Sequence, residues 1–163
     1  SFGIKDMTGC VLGPQEAFLI IRGLKTFEIR MQRHCENAQK VVEYLMNEPK
    51  VEHVYFPGVP THPNHDIACR QMKNFGVMIS IEVKGGKRAG MDFVNHLKMA
   101  KIAVSLGDAE TLVQHPASMT HSAYNAEELA DAGIPEGLVR ISVGLENAAD
   151  IIEDLKQAFT HVK

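Results

Sequence analysis

Val77-Met78-Ile79-Ser80-Ile81-Glu82-Val83 puts Val77, Ile79, Ile81 and Val83 on one side and Met78, Ser80 and Glu82 on the other. Alternation at a period of two marks a β-strand with one face in a core. Leu138-Val139-Arg140-Ile141-Ser142-Val143 repeats the pattern, with Val139, Ile141 and Val143 facing the core and Arg140 and Ser142 turned away. Strands with a single apolar face suit a small sheet covered by helices on one side. The expected fold is therefore α/β, with a small, mainly antiparallel sheet; a small doubly wound sheet is the rival.

Upstream, Phe18, Ile21, Leu24, Met31, Cys35, Ala38, Val42 and Leu45 recur at helical steps. They predict one long helix over 14–47, opened by Pro14 and about 50 Å long at 1.5 Å per residue. A bend near Gly23 would suit such a length. Between and beyond the two strands the sequence predicts strand Val51–Phe56, a Pro-rich loop, helix Asp66–Lys73 and helix Ala89–Lys98. Short strands at Ile102–Leu106 and Thr111–His115 follow. Asn125 caps a small helix, and Asn147 caps the last one.

The chain has 163 residues, 45% of them hydrophobic and 23% charged, the profile of an ordinary globular chain. Seventeen basic against 20 acidic residues give a formal charge of −3, no footprint for nucleic acid or a polybasic membrane anchor. No apolar run has the length of a membrane span. Cys10, Cys35 and Cys69 are widely spaced and form no CxxC, which predicts reduced thiols and a cytoplasmic protein. The histidines His62, His65, His115 and His121 lack metal-ligand spacing and are expected to be solvated loop residues without a metal. There is no GxGxxG, GxxxxGK[ST] or GxSxG.

Arg140 is the one residue whose placement asks for a chemical explanation. A guanidinium in mid-strand, flanked by apolar residues, suits bidentate binding of a carboxylate or phosphate. An internal salt bridge or an exposed sheet face explains it equally well from residues alone. Ser105, in Ile102-Ala103-Val104-Ser105-Leu106-Gly107, is predicted to lie opposite the core face and to meet Arg140 if the two strands are neighbours.

Five stretches, taken together and in order, go further. They are Gly3-Ile4-Lys5-Asp6-Met7-Thr8-Gly9, Arg22-Gly23-Leu24-Lys25-Thr26, Ser105-Leu106-Gly107-Asp108-Ala109-Glu110-Thr111-Leu112, His115-Pro116-Ala117-Ser118-Met119-Thr120-His121-Ser122, and Gly137 through Glu146. This set resembles the C-terminal part of the Cys/Met-metabolism family of pyridoxal-phosphate enzymes, and its gamma-lyase branch in particular. The resemblance spans essentially the whole chain and implies the C-terminal domain of a fold-type I enzyme. Residues 1–13 would end the large domain or linker, 14–47 would form a linking helix, and 48–163 would form a substrate clamp.

The same resemblance implies that Arg140 holds the substrate α-carboxylate, supported by Ser105 and Thr120. It implies that Lys5 and Asp6 lie near the substrate side chain. The cofactor, pyridoxal 5'-phosphate, would be bound mainly by residues upstream of Ser1, including the catalytic lysine, which leaves none in this chain. The implied partners are an amino-acid substrate and full-length chains in a homotetramer. The implied reaction is α,γ-elimination of L-methionine to methanethiol, 2-oxobutanoate and ammonia. Alternatives are a cystathionine lyase or sulfhydrylase reaction in the same family, or a non-catalytic carboxylate-binding or assembly domain.

Overall fold

The computed structural model describes Gly3, Thr8, Gly9 and residues 11–162. Two helices, α1 (Pro14–Leu24) and α2 (Phe27–Leu45), lead into β1 (Val51–Tyr55). There follow α3 (His65–Gln71), β2 (Met78–Val83), α4 (Gly86–Asn95), β3 (Lys101–Ile102), β4 (Leu112–Gln114), a 3-10 turn (Pro116–Ser118), α5 (Ala126–Asp131), β5 (Leu138–Ser142) and α6 (Ala148–Phe159).

The five strands form one sheet in the order β1-β2-β5-β4-β3. Every pairing is antiparallel except β3 with β4. The expected small, mainly antiparallel α/β sheet is thus the one observed. The register sets Ile79 beside Ile141, Ile81 beside Val139, and Val113 beside Ile141. These side chains are fully buried with Val41, Leu45, Phe93, Ile151 and Leu155 from α2, α4 and α6, so the helical layer covers one face. Phe93 and Phe159 join α4 to α6 at a ring separation of 4.3 Å.

The predicted single helix is two. The chain breaks at Lys25-Thr26, where Lys25 N bonds back only three residues, to Arg22 O. Arg30 bridges the break, donating from Nη2 to Gly23 O (2.8 Å) and from Nε to Thr26 Oγ1 (3.3 Å). A β-branched residue shortly after a glycine is a weak point in a helix. The inward face of α2 also differs from the apolar stripe. His34 and Asn37 are buried in it beside Ala38, Val41, Val42 and Leu45, whereas Met31 and Cys35 lie half-buried at its margin. Polar side chains turn inward here because they have acceptors to meet. His34 Nδ1 sits 2.7 Å from Val143 O, and Asn37 Nδ2 donates to Gly144 O and Glu146 O at 3.0 and 2.8 Å.

None of the residues of α1 is buried: Phe18, Leu19, Ile20, Ile21 and Leu24 all stand exposed. Four consecutive apolar residues occupy every side of a helix, a pattern that belongs inside a larger core. Of the strand predicted at Ile102–Leu106 only Ile102 lies in β3, and pairing ends at Ala103, whose N–H donates to Val113 O at 3.0 Å. The chain then leaves the sheet in a loop that turns at Gly107, φ +78°. Helix α4 starts earlier than Ala89, because Gly85 at φ +102° closes the turn into it.

Asp154 of α6 is the main polar anchor of the helical layer. It is 6% exposed and accepts from the amides of Lys98, Met99 and Ala100 at 2.8, 3.0 and 2.9 Å. At the far end of α6, Lys50 Nζ donates to the carbonyls of Phe159 and Val162. Asp154→Ala leaves three amides without their acceptor. The expected cost is about 3 kcal/mol, read from urea unfolding as a lower midpoint at unchanged slope.

Candidate functional site

The sheet face away from the helices is polar. Paired residues share a face, so the register lays Tyr55, Ser80, Arg140 and Gln114 in a row across β1, β2, β5 and β4. Arg140 is half-buried in the middle of that row. Its Nη2 donates to the carbonyls of Val104 (3.2 Å) and Ser105 (2.9 Å). Its Nε–H and Nη1–H groups have no partner among the described residues, and neither ion pair found there includes Arg140. Among the described residues no internal salt bridge explains it. A held but half-satisfied guanidinium keeps charged donors free for an anion.

Arg140 and Ser105 therefore meet, although their strands are not neighbours. β4 lies between them, and the 103–111 loop brings Ser105 back. Contact runs through the main-chain carbonyl of Ser105, and its exposed side chain forms no hydrogen bond among the described residues. Thr120 reaches the same cluster through an intermediary: its Oγ1 accepts from Gln114 Nε2 at 2.6 Å and lies 2.9 Å from His121 Nδ1. Lys5 and Asp6 lie outside the described residues.

Gln114 was not among the expected site residues. It is 3% exposed, is the register partner of Arg140, and its Oε1 is a buried acceptor without a partner among the described residues. The signal was available: alternation along Thr111–His115 sets Gln114 on the face opposite Val113, the face Arg140 shares. Ser142, expected beside Arg140, accepts from Gly107 N at 2.9 Å and so ties the loop to β5.

His115 turns β4 into the 3-10 segment that ends next to Thr120. It is 1% exposed, which corrects the expectation of a solvated loop histidine. A carbonyl only accepts, so Nε2–H donates to Glu136 O (2.8 Å), and Nδ1 accepts from the Ser118 hydroxyl (2.7 Å). Gly90 packs against the ring so closely that a Cβ there would collide with it. Burial pushes the His115 imidazole below its ordinary pKa of 6.5. The Glu136 carbonyl opposes that shift, and Lys87 adds to it.

The chain matches the family model described as Cys/Met metabolism PLP-dependent enzyme over residues 2–160. It belongs to that family. It is 64% identical over 160 residues to the L-methionine gamma-lyase of Fusobacterium nucleatum subsp. polymorphum, covering 98% of this chain and 40% of that protein. It is 54% identical to the L-methionine gamma-lyase of Pseudomonas putida, covering 96% of this chain and 39% of the relative. Among solved structures it superposes on cystathionine gamma-lyase from Lactobacillus plantarum complexed with L-serine. The TM-score is 0.88 at 41% identity, covering 97% of this chain and 41% of the other. The chain thus spans about two-fifths of the length of the relatives it matches.

As a member of a pyridoxal-phosphate family, the chain can be asked which part of that chemistry its own residues fit. The cluster of Arg140, Gln114, Thr120 and the Val104–Ser105 carbonyls contains no lysine to join the cofactor and no acid to pair a ring nitrogen. Its donors fit the carboxylate of an amino acid instead. No step is therefore assigned to the cofactor through these residues.

The titration of His115 gives a stability test. With its folded pKa below 6.5, its stabilisation is complete above pH 6.5 and is lost as pH falls from there through the folded value. His115→Gln keeps a donor for Glu136 O but does not titrate. Between pH 7 and 5 the variant should lose stability less steeply than the parent. The largest expected difference in slope is about 1.4 kcal/mol per pH unit, measured by denaturant unfolding at each pH.

Proposed function

We propose that this chain is the carboxylate-clamp portion of a pyridoxal-phosphate-dependent carbon–sulfur lyase that eliminates the γ thiolate of L-methionine. The products are methanethiol, 2-oxobutanoate and ammonia. The observation that carries this reading is the half-buried Arg140, seated by two carbonyls and paired with no carboxylate among the described residues. The high identity to methionine gamma-lyases favours that substrate over cystathionine.

The clamp works by geometry. The free Nε–H and Nη1–H donors of Arg140 are left to the oxygens of the α-carboxylate, while Val104 O and Ser105 O hold the guanidinium plane through Nη2. Fixing that carboxylate fixes the directions of the other three bonds at Cα, including the C–H to be broken. Gln114 and Thr120 line the same floor and keep it polar. Pyridoxal phosphate, when bound, supplies the electron sink for charge developing at Cα.

Residues 48–163 serve as the clamp domain, 14–47 as the link, and 1–13 as the end of the large domain, with Lys5 and Asp6 near the substrate side chain. The apolar surface of α1 supports this placement. Such a surface calls for cover, which the rest of a longer chain and further copies in a homotetramer would provide. No helix among the described residues is long and apolar enough to cross a membrane. Cys35 and Cys69 are free thiols, in keeping with a cytoplasmic enzyme.

In the full-length enzyme, Arg140→Ala should raise KM for L-methionine and lower kcat/KM on the order of 10²-fold, about 3 kcal/mol. Steady-state methanethiol release measures it. Unchanged kinetics would remove Arg140 from the site.

A further inference from the structure

The carbonyls that seat Arg140 lie in a loop that has left the sheet. Residues 104–110 pair with no strand, and a free loop would let those carbonyls drift. The loop is instead tied at three places to the end of the strand that carries Arg140. Gly107 N donates to Ser142 Oγ (2.9 Å), and Leu145 N donates to Ala109 O (2.8 Å). The third tie is two-pronged: Thr111 N and Thr111 Oγ1 donate to Glu146 Oε1 and Oε2 at 2.6 and 2.9 Å.

Thr111 is fully buried, and its hydroxyl also accepts from Gly144 N at 3.0 Å. Its single proton is therefore directed at Glu146. No cation pairs the Glu146 carboxylate among the described residues, so its charge is held by this one threonine. A Cβ at Gly144 would collide with Glu146 Oε2, Thr111 N and Ala109 O, so the turn closes only with glycine. Asn37 fastens the same turn to α2.

These contacts close a ring that runs from Arg140 to Val104 and Ser105, along the loop to Thr111, across to Glu146 and back down β5. The ring lies outside the apolar core, which is built on the other sheet face. We infer that Glu146, acting through Thr111, is a positioning residue for the Arg140 clamp: it sets where the Val104–Ser105 carbonyls stand and so how the guanidinium presents its free donors. This rests on reading Arg140 as the carboxylate clamp.

The test uses the full-length holoenzyme and two probes that carry no γ leaving group: L-norleucine, and pentylamine, which is norleucine without its carboxylate. Spectral titration gives a Kd for each in the parent, Glu146→Ala, Glu146→Gln, Thr111→Ser, Arg140→Ala and the Glu146→Ala/Arg140→Ala double variant. Glu146→Ala should weaken norleucine about tenfold and leave pentylamine unchanged. Thr111→Ser keeps the hydroxyl and should bind like the parent. In the double variant Glu146→Ala should add no further loss, because both changes disable one clamp. Glu146→Gln keeps an acceptor for Thr111 N and should show a smaller norleucine loss, which carries the test if the alanine variant fails to fold. Equal weakening of both probes, or full additivity with Arg140→Ala, overturns the inference while leaving the clamp intact. An Arg140→Ala enzyme that still prefers norleucine over pentylamine as the parent does overturns the clamp itself, and this inference with it.

Discussion

A guanidinium in the middle of a sheet is the constraint around which the polar half of this structure is arranged. It is permanently charged and carries five donors in a rigid fork. Half-buried on β5, Arg140 is too enclosed for full hydration, and no carboxylate among the described residues neutralises it. Two backbone carbonyls satisfy one nitrogen and fix the plane, leaving donors on the other two nitrogens for an anion. The 103–111 loop, Ser142, Thr111 and Glu146 all follow from the need to keep those carbonyls in place.

The apolar half of the sheet makes that arrangement affordable in stability. Ile79, Ile81, Val113, Val139, Ile141 and Val143 face α2, α4 and α6 with no polar interruption within the strands. The polar groups that do enter the interior on the helical side are matched except for Asn37 Oδ1, which has no partner among the described residues. Asp154 meets three amides, His34 meets Val143 O, and Asn37 meets two carbonyls just past β5. Asn37 in particular links the two halves, because the turn it holds at Gly144–Glu146 is the turn that holds the loop. Helix α1 stands apart from this balance, with its apolar residues exposed on every side.

Much of the fold was legible. Period-two alternation gave β2 and β5 their faces, and the order of helices and strands along the chain followed from periodicity and capping residues. The candidate site was legible in part: Arg140 stood out by its position and Ser105 by its place opposite the core face, while Thr120, Lys5 and Asp6 entered only through resemblance to the family. The misses share a cause. Gln114 went unnoticed although alternation placed it on the face of Arg140, because its strand is only three residues long. The inward face of α2 was misplaced because His34 and Asn37 are buried by acceptors that lie 109 and 107 residues away along the chain. The strand drawn through Ser105 ended early because a side chain on β5 captures Gly107 N.

By itself, then, the sequence determined which strand residues face the core, that a charged arginine sits on the opposite face, and which family the motifs belong to. These depend on local periodicity and on residue identity. Only the tertiary structure decided that Arg140 lacks a carboxylate partner among the described residues, that it meets Ser105 through the backbone rather than the hydroxyl, and that Glu146 closes a ring around it. Those facts depend on which strands are neighbours and how a loop folds across one of them, and hydrogen bonds between residues more than thirty positions apart leave no periodic trace in the chain.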